Sequence, residues 1–141
     1  MASRDKQLDH LAAVPLFSAC SRKDLQRIAK ASNEIEVEAG RVLTDQGDIG
    51  REAFVIVEGE AIVKRNQRKI ATLGPGDAIG ELSLLDHGPR TATVEASTPM
   101  SLLVLSTREF SGVVDAVPGL AHKLMAALAS RIRELDNKVF G

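Results

Sequence analysis

The chain has 141 residues, enough for one domain built around one core. Its formal net charge of -1 supplies no global field for nucleic acid or membrane, and no segment approaches the ~18 consecutive apolar residues of a membrane-spanning helix. With no Trp, no Tyr and one cysteine, Cys20, the core falls to Val, Ile, Leu and Ala and no internal disulfide can form, which fits a reducing compartment.

The N-terminal stretch carries Arg4, Asp5, Lys6 and Asp9 without a long apolar run, so it does not read as a signal peptide, and a soluble cytoplasmic protein is the default expectation. Residues 4 to 13 read as a weak helix that stops before Pro15. Ser21 followed by Asp24 marks a second helix start, a hydroxyl capping an orphan amide with an acid in the first turn. Leu25, Ile28 and Ala29 give that helix one apolar face. From Ile35 the period changes, because Ile35 and Val37 alternate with Glu34, Glu36 and Glu38. Short β-prone pieces follow at Val42 to Thr44, Phe54 to Val57, Ala61 to Lys64, Lys69 to Leu73, Thr91 to Ala96 and Ser101 to Leu105. Gly, Asp, Asn and Pro separate them. Many short strands with regular turns predict an antiparallel roll or barrel. Thr107 is the expected cap of a further helix. After Pro118-Gly119 the longest helix is expected over residues 120 to 138. Its apolar stripe, Leu120, Leu124, Leu128, Ile132, Leu135 and Val139, fits either packing on the roll or pairing with the same helix of a second subunit.

Residues 80 to 94, Gly-Glu-Leu-Ser-Leu-Leu-Asp-His-Gly-Pro-Arg-Thr-Ala-Thr-Val, are the most informative stretch. Glu81 opens a short helical turn, and Arg90 follows behind Gly88-Pro89. Unpaired amides at a helix start attract negative charge, and a guanidinium grips a phosphate through two parallel hydrogen bonds. A carboxylate such as Glu81 accepts from sugar hydroxyls. The plainer alternative is a Glu81–Arg90 salt bridge inside an ordinary turn.

This stretch resembles the phosphate-binding cassette of cyclic-nucleotide-binding domains, the family of kinase regulatory subunits, gated channels and catabolite-activator-type regulators. The likeness extends to Val14-Pro15-Leu16-Phe17 with residues 21 to 31, to Gly40 and Gly47, to the run from Ala53 to Ala61, and to Gly74-Pro75-Gly76-Asp77. It covers roughly residues 14 to 139. The resemblance implies an α+β, mainly β fold: an antiparallel β-roll (a double-stranded β-helix or jelly roll) flanked by N-terminal and C-terminal helices. Residues 1 to 141 would form a single domain, with the helical motif at about 4–31, the roll and cassette at about 33–106 and the C-terminal helices at about 107–139.

By the same resemblance, Arg90 would hold the exocyclic phosphate and Glu81 the ribose 2′-hydroxyl, with amides supplied around Gly80, Leu82 and Ser83. Thr91 would touch the phosphate or the 2-amino group of a syn guanine, and does not settle the base. Val63 and Ile70 match positions that line the base, and Arg131 matches a lid-helix arginine that approaches the ligand. The chain departs from the bacterial activators at Leu135 and Asp136, where they place adjacent hydroxyl residues, so base contacts do not carry over. Phe140 is a candidate cap on the base.

Other signals are weaker. Lys64, Arg65, Arg68 and Lys69 read as solvated charges of a hairpin turn, so nucleic acid is not an expected partner. The glycines from Gly74 to Gly80 lack the spacing and setting of a dinucleotide loop. His10, His87 and His122 are scattered, and no metal is expected. No nucleophile stands in a recognisable catalytic motif, and the clustered His and Glu set of a cupin-type oxygenase is missing. The expectation is a non-catalytic cyclic-nucleotide sensor, for cAMP or cGMP, whose C-terminal helix moves with ligand to regulate a protein partner, with a homodimer through that helix as one option. The alternative is a fragment of a cyclic-nucleotide-responsive transcription regulator without its DNA-binding domain.

Overall fold

The computed structural model describes residues 4–86 and 88–140. The expectations for His87 and for the Phe140 side chain fall outside what is described. Helices α1 (Arg4–Ala12) and α2 (Arg22–Ala31) flank a single 3-10 turn, Pro15–Phe17. Eight strands follow: β1 (Asn33–Val37), β2 (Val42–Thr44), β3 (Glu52–Glu58), β4 (Ala61–Arg65), β5 (Arg68–Leu73), β6 (Ala78–Ile79), β7 (Thr93–Ala96) and β8 (Met100–Ser106). The short helix α3 (Ser83–Asp86) lies between β6 and β7, and α4 (Thr107–Ala116) and α5 (Leu120–Phe140) close the chain. The strands form two four-stranded antiparallel sheets, ordered β1-β8-β3-β6 and β2-β7-β4-β5. The architecture is the β-roll flanked by helices that the resemblance implied.

Alternation along β3 and β8 explains why two cores form. Side chains point to opposite faces at each step. Ala53, Val55 and Val57 of β3, with Leu103 and Leu105 of β8, pack outward against the helices. Phe54 and Ile56, with Met100 and Leu102, pack inward between the sheets. A continuous apolar run is what a strand buried on both faces requires.

Turn chemistry sets the rest. The β4–β5 hairpin turns at Asn66 and Gln67, both at positive φ (51° and 67°), the signature of a two-residue type I′ turn. Gln46 locks it, donating to Asn66 Oδ1 at 3.0 Å and accepting from the Asn66 amide at 2.9 Å. The cap of α4 differs from expectation: Ser106, not Thr107, accepts from the Glu109 amide. The Thr107 hydroxyl is spent on the Arg51 carbonyl at 3.2 Å. At α2 the expected cap is present, and Ser21 and Asp24 form a reciprocal capping box.

Asp24 also reaches across to α5. Its carboxylate, only 9% exposed, meets Lys123 Nζ at 2.5 Å. The Lys123 hydrogen bond, then the Ser21 amide, hold the Asp24 carboxyl below its ordinary pKa against the opposing effect of burial. A carboxyl depressed on folding contributes stability above its unfolded pKa of about 3.9, and that contribution disappears as pH falls through the lower folded value. Asp24→Asn is therefore expected to be less stable than wild type at neutral pH, with the two denaturation midpoints converging below about pH 4. A gap that persists unchanged into acid would assign the effect to lost packing instead.

Candidate functional site

A cavity of about 310 Å³ opens between the second sheet and the β6–α3–β7 segment. Val63, Gly80, Glu81, Leu82, Ser83, Arg90 and Thr91, all singled out in the sequence, line it together. Its wall also includes Thr44, Arg65, Leu73, Ala92 and Val94, which sequence reasoning did not assign to it.

Arg90 is positioned by its own backbone. The segment before it bridges to the β2–β3 connection through Ile49 and Pro89. The Arg90 amide donates to the Asp48 carbonyl at 2.6 Å, and its carbonyl accepts from the Gly47 amide at 2.9 Å. The guanidinium then turns inward. Nη1 donates to Ser83 Oγ at 3.2 Å and, at the limit of hydrogen bonding, to the Gly80 carbonyl at 3.5 Å. Nη2 donates to the Glu52 carbonyl. Gly80 sits at φ +69°, and a Cβ there would collide with Arg90 Nη1. This is a close approach that only glycine permits. Desolvation lowers the Arg90 pKa, opposed by the charge of Glu52, but an arginine stays protonated throughout. None of the ion pairs among the described residues involves Arg90. A half-buried cation thus faces the cavity with neutral oxygens as its partners.

The alternative of a Glu81–Arg90 salt bridge is not what forms. Glu81 pairs instead with Arg131 of α5, Oε1 to Nη1 at 3.6 Å. That is beyond hydrogen-bonding distance, and Arg131 Nη1 is buried without a hydrogen-bond partner. Arg131 therefore meets the site through Glu81 and does not itself line the cavity. Among the described residues the Glu81 and Leu82 amides make no hydrogen bond, whereas the Ser83 amide is spent on the Gly80 carbonyl at 3.1 Å. Glu81, Leu82 and the cation at 90 line one volume, an arrangement suited to a small anion.

Ile70 is not brought to the cavity. Val63 pairs with Ala71 and Lys64 with Lys69, which leaves Ile70 as the extra residue of a β-bulge, 51% exposed. Arg65, exposed beside the hairpin turn as expected, also donates from Nε to the Thr91 carbonyl at 3.1 Å and joins the wall. Thr91 lies just ahead of β7 rather than within it. Among the described residues no group of His, Cys, Asp and Glu is spaced to hold a metal.

A roll with a cation-floored cavity beside a short cassette helix defines a domain built to take an anionic ligand. The family pattern of the cyclic nucleotide-binding domain matches residues 34–116, and the chain belongs to that family. It is 32% identical over 127 residues to the cyclic AMP receptor protein of Thermus thermophilus, covering 86% of this chain and 59% of that protein. The N-terminal domain of a transcriptional regulator from Streptomyces coelicolor superposes with a TM-score of 0.81 at 33% identity, covering 87% of this chain and 91% of that one. The regulatory domain of Toxoplasma gondii PKA, crystallised with cAMP, superposes with a TM-score of 0.73 at 29% identity, covering 80% of this chain and 46% of that one. The chain thus spans under two thirds of the Thermus receptor's length. The Streptomyces neighbour is part of a transcriptional regulator, and the Toxoplasma neighbour is a regulatory domain.

Proposed function

We propose that the chain is a non-catalytic cyclic-nucleotide sensor of the cytoplasm, with cAMP as its ligand, in which movement of α5 regulates a partner. One observation carries this reading: the Arg90 guanidinium lines a cavity, is desolvated, and takes part in no ion pair among the described residues. A cyclic phosphate supplies the missing charge. Arg90 clasps the phosphate oxygens, the Glu81 and Leu82 amides complete the anion site, and the Glu81 carboxylate accepts the ribose hydroxyl. Val63 and Leu73 offer apolar surface to the base. Because Glu81 also meets Arg131, the ligand and α5 compete for one carboxylate. That gives the differential interaction by which a ligand shifts a conformational equilibrium.

Calorimetric titration with cAMP, cGMP and 2′-deoxy-cAMP tests the reading. Saturable binding of one cAMP per chain is expected, tighter than cGMP. The deoxy analogue should bind more weakly by about 1–3 kcal/mol, because it leaves a partly buried acceptor unsatisfied. Absence of binding by every cyclic nucleotide would end the proposal.

The likeness to a regulator's N-terminal domain favours a second reading, in which the chain is the sensing part of a transcription regulator. With a net charge of -1 and its basic cluster confined to the β4–β5 hairpin, the chain is expected to give no gel shift at low salt under either reading.

A further inference from the structure

The inward face of the first sheet changes character along its strands. Ile35, Leu102 and Ile56 stand side by side on β1, β8 and β3, and Leu102 and Ile56 are fully buried. In the next row Asn33 pairs with Val104 and Val104 with Phe54. Here a slot of about 300 Å³ opens between this sheet and β2. It shares no lining residue with the cavity at Arg90. Ile35, Val37, Phe54 and Val104 form its floor. Ile35 and Val104 face the core, yet both stay only half-buried.

The opposite wall departs from regular strand geometry. Neighbouring residues of a strand send their side chains to opposite faces. In the β2–β7 ladder Val42 pairs with Glu95 and Thr44 with Val94, so Leu43 is the extra residue of a β-bulge. Val42 and Leu43 therefore both line the slot, and Val42 is 48% exposed.

The rim carries one charge of each sign. Glu52 lies two residues before Phe54 and so shares its inward face of β3. Arg41 precedes the β2 wall, and both residues line the slot. Among the described residues neither takes part in an ion pair, with the other or with any third residue. Glu52 acts on Arg90 through its charge alone. An apolar floor under two unlike, unpaired charges suits a molecule with both charges at one end and a hydrocarbon group at the other. A fatty acid would leave Glu52 unmatched, and an alkylamine would leave Arg41 unmatched.

We propose that this slot binds a free α-amino acid with an aliphatic side chain. Its carboxylate meets Arg41, whose planar guanidinium can grip it through two parallel hydrogen bonds. Its ammonium meets Glu52, and its side chain covers Ile35, Phe54 and Val104. The site stands apart from the nucleotide reading, and a chain that binds no cyclic nucleotide leaves it intact.

Amide NMR on the full chain, titrated with L-leucine, tests the assignment. Saturating shifts are expected at residues 33–37, 41–43, 52–54 and 104. Isocaproate, which is leucine without its ammonium, should bind about tenfold more weakly, and so should isoamylamine, which lacks the carboxylate. L-Alanine keeps both charges without the apolar branch and should also bind about tenfold more weakly. Arg41 is exposed, so Arg41→Gln should keep the dispersed spectrum of the folded chain while its affinity for leucine falls about tenfold. Absence of saturation up to about 10 mM leucine, well past the roughly millimolar affinity expected of so small a ligand, overturns the inference. Shifts centred away from the slot overturn it too, as does undiminished leucine affinity in Arg41→Gln. Isocaproate binding as tightly as leucine overturns the choice of an amino acid.

Discussion

Arg90→Ala is expected to weaken cAMP binding roughly 10²- to 10³-fold, with the affinity measured by calorimetry on variant and wild type. Truncating one partner of a partly desolvated charged contact costs on the order of 3–5 kcal/mol, and each 1.4 kcal/mol is about tenfold in affinity. The geometry says why the loss falls on binding rather than on folding. In the free protein the guanidinium contacts Ser83 Oγ and the carbonyls of Gly80 and Glu52, and burial already disfavours its charge. Removing it surrenders these contacts but also relieves that desolvation. Ligand-free thermal unfolding should therefore change much less than the affinity does. Arg90→Lys keeps the charge and forfeits the planar fork, so it should fall between the two. Equal affinity for cAMP in Arg90→Ala and wild type would remove Arg90 from the site.

The cassette was legible because its chemistry is local. Gly80, Glu81 and Arg90 lie within eleven consecutive positions, and the close approach of Arg90 to Gly80 needs a residue without a Cβ. The opposite wall was not legible. Thr44, Leu73 and Arg65 reach the cavity through strand pairing, and the pairing of β2 with β7 or of β4 with β5 leaves no mark in any one segment. Ile70 shows the same limit. Its side chain suits a cavity wall, but one extra residue in the β4–β5 ladder puts it outside. Where two hydroxyls adjoin, as at Ser106 and Thr107, propensity cannot tell the cap from the first helical residue, and the Arg51 carbonyl decides between them. The partner of Glu81 was a question of the same kind. Arg90 was nearer in sequence, but α5 brought Arg131 to the carboxylate. The apolar stripe of α5 was visible in full, yet its division into a packed half and a displayed half depends on where the core ends, at Leu128.

Phe110→Ala should lower unfolding free energy by about 3–5 kcal/mol, read from urea midpoints at constant slope. Phe110 is 1% exposed, and its ring centroid lies 6.0 Å from that of Phe17 at a tilt of 36°. It shares one apolar cluster with Leu84 of α3, with Leu120 and Leu124 of α5, and with Leu8 and Leu11 of α1. Three elements that carry the proposed response therefore close around one ring: the cassette helix, the helix after the roll, and the base of α5. Among the described residues the helical cluster holds no aromatic ring besides Phe17 and Phe110, so mostly aliphatic neighbours would have to fill the void. They are held by the roll beneath them, and a cavity that cannot collapse incurs the larger part of that range. Against a total stability of about 5–15 kcal/mol for a typical domain, the loss is large. Hydrogen exchange should localise it, with amides of α4 and the first turns of α5 opening well before those of β3 and β8, whose inward residues belong to the other core. A loss below about 1 kcal/mol, or protection falling evenly across both cores, would show that the helical layer and the roll do not rest on Phe110 in the way their packing implies.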